Sequence, residues 1–397
     1  MSLKTKINQL VESKKAMTVL SFVGLYLLSA GLSLAFFSYS SGPTFVNTED
    51  ARSQIADLPK TEECPINGQM FTEVEKDIWE TRRPITAMIE NHAESRPLSG
   101  ISKADVVYEA VAEGGITRFM AVFYCGAAAE DVKIAPVRSA RVYYIDWASE
   151  YGDYPIFMHV GGANDYSGFG DTVKDARALE LLESLGWRVP GGNDLDTTYD
   201  SGFPIFWRNY ERLGRTVATE HTMMASLDAA YEEAEERGFT NEYDGDSWDE
   251  DFTQWQFEDG EPSSNPSATR ISFGFWDNQS NYNVTWNYDA ASNSYLRANG
   301  GKDFIDHETK EQISASNVVV MFVDERGPVD RNKHMLYTTV GEGDALIFAN
   351  GSVIEGTWEK DSRTSRTIFY DESGDEISFV RGKIWIEAVP SGNDINY

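Results

Sequence analysis

Ala16 to Phe37 is an uncharged run of 22 residues, and it divides the chain into two unlike parts. An apolar stretch of that length can cross a bilayer core of ~30 Å as a helix. Lys14 and Lys15 precede it, and no basic residue follows until Arg52. That asymmetry predicts a cytoplasmic tail over 1–15, a transmembrane anchor over 16–37 and an exported body. A cleaved signal peptide is the competing reading, with Ser33-Leu34-Ala35 as the small-residue pattern. The rest of the chain is acidic, since the net charge is −30 while the first 15 residues are basic. Such a body repels phosphate backbones and excludes nucleic acid as a partner. At 41% hydrophobic and 13% aromatic, it has the composition of a globular protein.

Residues 38–76 read as a linker, and the folded region divides into 77–260, a second linker at 261–267, and 268–397. In the first part, Ile116–Tyr124 and Pro155–Val160 are apolar strand candidates. Ala104–Ala112, Arg141–Tyr151, Val173–Leu185 and Met223–Arg237 carry helical spacing of apolar residues. Gly114-Gly115 is read as a helix stop. Strands alternating with helices predict an α/β-type mixed-sheet domain. Beyond 268, β-branched and aromatic runs separated by Asn-Gly and Ser-Gly turns predict a β-rich, sandwich- or barrel-like domain. The fold class expected for the whole is α+β. Cys64 and Cys125 either pair, in an oxidising compartment, or serve as small buried thiols. No Cys/His cluster points to zinc, and no metal site is expected.

Arg118, Arg138 and Arg141 fall close together at the ends of buried-looking elements. Guanidinium forks match phosphate or carboxylate, so the three predict an anion-binding site. Glu109, Glu113, His159 and His221 are the candidate acid/base groups around it. Asn91, His92, Gly161 and Gly162 are further pocket candidates, the glycines because they let a ligand approach the backbone closely. No P-loop, GxSxG, HExxH or catalytic-cysteine pattern is present.

An ordered set of segments resembles the YerB-like family of bacterial envelope proteins. These are RRPITAMIENH (82–92), EGGITRFMAVF (113–123), APVRSAR (135–141) and MHVGGA (158–163). DHETKEQISASNVVV (306–320), GSVIEGTWEK (351–360) and GKIWIEAVP (382–390) continue it. The resemblance covers roughly residues 80–392 and implies two domains and export, with no established activity. Members are often lipoproteins, whereas this chain has a hydrophobic run and no cysteine near residue 35. In arrangement, without a shared motif, the first domain is also similar to the LytR-CpsA-Psr phosphotransferases, whose arginines hold a lipid-linked pyrophosphate. The reading that follows is a membrane-anchored envelope protein binding an anionic ligand such as a glycopolymer, peptidoglycan or a lipid-linked phosphate. A glycopolymer phosphotransferase is the alternative, and Mg²⁺ would enter as a cofactor only there.

Overall fold

The computed structural model describes residues 58–397 together with Arg52 and Ile55. Its centre is a ten-stranded mixed sheet. In chain order the strands are β1 (Ile85–Glu90), β2 (Val106–Glu113), β3 (Ile116–Phe123), β4 (Ile156–His159) and β5 (Asp194–Asp196). They continue with β6 (Asn317–Val323), β7 (Gly341–Ala349), β8 (Ser352–Lys360), β9 (Ile368–Asp371) and β10 (Ile384–Pro390). Across the sheet the order is β9-β8-β7-β6-β10-β2-β3-β1-β4-β5. β10 lies parallel to both β6 and β2, so one continuous sheet takes strands from both sides of residues 261–267.

The fold class therefore differs from expectation: the described residues are β-rich, not α+β with an α/β-type domain. Among residues 58–397 the α-helices are short: α1 (Glu73–Trp79), α2 (Val142–Ala148), α3 (Ala178–Ser184) and α4 (Leu227–Glu236). None of them is long and apolar enough to cross a membrane. The predicted span at 16–37 lies outside the described residues.

One helix prediction is overturned outright. Ala104–Ala112 is not helical but holds most of β2, which is buried on both faces from Val106 to Ala112. A strand covered on both faces has no polar side to alternate with, so its pattern imitates a buried helix. Gly114 and Gly115 are not a helix stop. Both have positive φ, +58° and +83°, and they form the tight turn that reverses β2 into β3. The segment at 223–237 divides, with a strand at Met223–Ser226 before α4.

Both faces of the sheet are covered. Tyr108 points toward α2 and stacks on Trp147 at 5.4 Å. Its neighbour Glu109 points the other way, toward a second sheet whose first three strands are Arg270–Phe273, Val284–Asp289 and Ser294–Asn299. There Trp286 packs edge-on against Trp385 of β10. Arg297 inserts between Glu109 and Glu387 at 2.5 and 2.6 Å, with all three side chains sealed from solvent. Burial is the main cause that pushes the Glu387 carboxyl up to about 8.

Cys64 and Cys125 form a disulfide across a sequence separation of 61, tying the segment before α1 to the end of the β3 region. Both cysteines of the sequence are used in it.

Candidate functional site

The cleft that gathers most of the expected residues sits where β1, β2 and β3 end together. Glu90 is the last residue of β1 and lies opposite Arg118 of β3. Glu113 ends β2 beyond a register irregularity. The chain from Ala135 runs along β1: Glu90 N–H donates to the Pro136 carbonyl and Arg138 N–H to the Met88 carbonyl, which sets Arg138 over the strand ends. The strand Met223–Ser226 pairs with Lys133–Ile134 and delivers the preceding turn, Thr219–His221, to the same place. A turn after β1 adds His92 and Glu94. The resulting cleft has a volume of ≈ 210 Å³.

The three arginines separate into two roles. Arg118 and Arg141 each donate to Glu113, at 2.8 and 2.6 Å, and each also donates to a backbone carbonyl, of Ser139 and Ala140. Their side chains are almost fully buried. Burial alone would raise the Glu113 carboxyl, but Arg118 and Arg141 outweigh it and hold the group down at about 2. Both guanidiniums are thus tied to this carboxylate, although the buried Arg141 Nε has no hydrogen-bond partner among the described residues. Arg138 instead lines the cleft with 25% of its side chain exposed, and its Nε lies 3.2 Å from Glu90 Oε1.

The Glu90 carboxylate has a second neighbour, His221, whose Nδ1–H donates to Oε2 at 2.7 Å. That bond is the first cause of an imidazole pKa raised above the ordinary histidine value, and burial works against it. The His92 ring stacks on His221 with centroids 4.7 Å apart and planes 16° apart. Glu94 N–H donates to His92 Nδ1 at 3.2 Å, and the exposed Glu94 carboxylate lies 3.9 Å from His221 Nε2. Thr117 and Glu220 complete the polar lining.

Other predicted residues lie elsewhere. Glu109 belongs to the sealed pair with Arg297 described above. Asn91 is buried behind the cleft, and its amide N–H groups face Glu109, Thr117 and Asn299. His159 is fully buried at the end of β4. Its Nδ1 and Nε2 face two acceptors, the Gly161 carbonyl at 2.8 Å and Asp194 at 2.5 Å, an arrangement that favours the doubly protonated ring. Arg188 closes this group on Asp194 and Asp196. A Cβ on Gly162 would meet Leu179 at 2.6 Å, so its smallness serves chain packing, while Gly161 turns the chain at a positive φ of +62° and its carbonyl accepts from Ala140 N–H.

Sequence reading missed Glu90, Glu94, Thr117 and Glu220. A signal for the first two existed in E-N-H-A-E at 90–94, two carboxylates flanking a histidine directly after a strand.

Two family models match the sequence of this chain. Residues 71–240 match the model described as "Protein of unknown function (DUF3048) N-terminal domain", and residues 271–386 match the corresponding C-terminal domain. The chain belongs to this family, the YerB-like proteins. It is 28% identical over 340 residues to the protein named "Putative lipoprotein YerB" of Bacillus subtilis (strain 168), covering 85% of this chain and 89% of that protein. The crystal structure of YerB protein from Bacillus subtilis aligns with a TM-score of 0.65 at 25% identity, over 85% of this chain and all of that one.

Proposed function

We propose that the protein is a membrane-associated, extracytoplasmic envelope protein that binds an anionic envelope ligand in the cleft around Arg138. The ligand class is the phosphate or carboxylate of a glycopolymer, of peptidoglycan or of a lipid-linked phosphate. Export is supported by the Cys64–Cys125 disulfide, a bond that persists in oxidising compartments, and by the lipoprotein name of the relative. Neither cysteine of this sequence is free to carry a lipid.

The observation that carries the binding reading is the division of labour among the arginines. Arg118 and Arg141 are consumed by Glu113, while Arg138 presents a partly exposed guanidinium to the cleft. Its partner Glu90 is also held by His221, so an incoming anion can take Arg138 while Glu90 keeps a donor. The Thr117 hydroxyl accepts from Asn91, which leaves its hydrogen for a ligand.

The test is calorimetric titration of the full chain with inorganic pyrophosphate and with a phosphate-bearing wall glycopolymer, in the presence of a chelator. Arg138→Ala is expected to weaken binding at least tenfold with an unchanged melting temperature. Equal affinity in the variant and the wild type would sink the reading. Product released from an undecaprenyl-pyrophosphate-linked sugar with Mg²⁺ would replace binding by phosphotransfer.

A further inference from the structure

The same cleft holds a second arrangement, which an anion site does not require. His221, His92 and Glu94 each offer one ligand atom, and those atoms lie within 4.8 Å of one another. We propose that these three residues bind a divalent transition-metal ion of the zinc class, with Glu90 as the outer carboxylate that orients His221.

The geometry begins with His221. Its Nδ1–H is committed to Glu90 at 2.7 Å, so in the neutral ring, the form that an ion would select by displacing the second proton, Nε2 is the lone-pair nitrogen on the cleft side. A histidine ligand usually donates its second ring N–H to a carboxylate or carbonyl, which fixes the tautomer and makes the coordinating nitrogen more basic. Glu94 Oε2 stands 3.9 Å from that Nε2. This is too long for a hydrogen bond but close to the separation of two groups that share an ion. Zinc–nitrogen and zinc–oxygen bonds of ~2.0–2.2 Å place neighbouring ligand atoms about 3.3 Å apart in a tetrahedral site. The cluster must contract, and the His92 ring must turn out of its stack on His221, because an ion lies in the plane of each imidazole that binds it and these planes are only 16° apart. Two of the three members can move: Glu94 is 66% exposed and His92 sits on a surface turn. His92 joins through Nδ1 by giving up its 3.2 Å contact with Glu94 N–H, or through Nε2 after the ring proton moves to Nδ1.

The local charge allows a cation. The charged groups lining the cleft are Glu90, Glu94, Glu113 and Glu220 against Arg118 and Arg138, with Arg141 also paired to Glu113. Two imidazoles and one carboxylate form a ligand set suited to zinc and its first-row neighbours, and three protein ligands leave a coordination position open to the cleft. The inference does not rest on the anion reading: both use the Glu90–His221 bond, but the ion's ligands are His221, His92 and Glu94 whereas the anion's donors are Arg138 and Thr117.

The experiment is titration of the chelator-stripped full chain with ZnCl₂ in an anion-poor buffer, followed by calorimetry and X-ray absorption. One ion per chain is expected, at micromolar affinity or tighter, with two imidazole nitrogens in its shell. His92→Ala and Glu94→Ala, both on the exposed turn, should each weaken it at least tenfold while melting like the wild type. Glu90→Gln should weaken it by ~10–100-fold through the loss of the orienting carboxylate. His307→Ala, outside the cluster, should leave it unchanged. Binding that does not saturate at one equivalent, or that is the same in His92→Ala and Glu94→Ala as in the wild type, would overturn the site. Failure of zinc binding leaves pyrophosphate binding in chelator untouched, and the converse holds, so the two readings fail separately.

Discussion

Two histidine–carboxylate clusters in this protein share their chemistry and differ in their setting. His159 meets Asp194 and Asp196 at the outer edge of the large sheet, with Arg188 sealing the group, and the histidine and both aspartates are wholly buried. His221 meets Glu90 and Glu94 at the cleft, where Glu94 is two-thirds exposed. In the first cluster both ring nitrogens of His159 have their acceptors, and the ring is held as a structural pin. In the second, one ring nitrogen is spoken for and the other faces the cleft. Burial and the number of satisfied partners, not the residue types, separate a structural pin from a site that can exchange ligands.

The comparison breaks most visibly at His159. His159→Ala removes one of the two cations that Asp194 faces inside the protein, the other being Arg188, and breaking a buried charged pair costs ~3–5 kcal/mol. Urea unfolding should show that loss while zinc and pyrophosphate affinities at the cleft stay at wild-type values. A smaller effect is the pH dependence of the same group. Burial lowers the His159 pKa, but Asp194 and then Asp196 outweigh it, so the folded value stands above the ordinary one. Its stabilisation is then fully present below the unfolded histidine pKa of ~6.5 and is lost as pH rises through the folded value. Urea unfolding of the wild type at increasing pH above 6.5 should show a decline that is reduced in His159→Gln. The smallest effect is expected at the open cluster: Glu94→Gln should change stability by no more than about 0.5 kcal/mol, as is usual for an exposed side chain. A large loss there would mean that the cleft is as structural as the His159 group.

Much of the strand content was legible. Ile116–Phe123, Ile156–His159, Asn317–Val323 and Ile384–Pro390 are apolar runs bounded by polar or turn residues, and each is a strand. What was not legible is pairing. Nothing local in Ile384–Pro390 says that it lies between β6 and β2, because a parallel register between distant segments leaves no trace in either one alone. β2 was misread because both of its faces are covered. The site followed the same logic. Three arginines in one apolar stretch were visible, but their division depended on Glu113, which the β2–β3 turn folds back on them. His159 and His221 could not be told apart, since the burial of the first is completed by β5 and Arg188, well downstream.

The position of β10 has a consequence for the order in which the molecule can assemble. As the chain emerges, β2 is made early and has β3 beside it at once through the Gly-Gly turn, but its other edge stays unpaired. That edge is filled only by residues 384–390, which also join β2 to β6. Until they arrive, the first half presents a long, apolar, open strand, the kind of edge that captures other chains. Contacts of such long sequence separation form slowly. A chain truncated before Ile384 would have no interior strand to close the sheet, and its two halves would be left as aggregation-prone fragments.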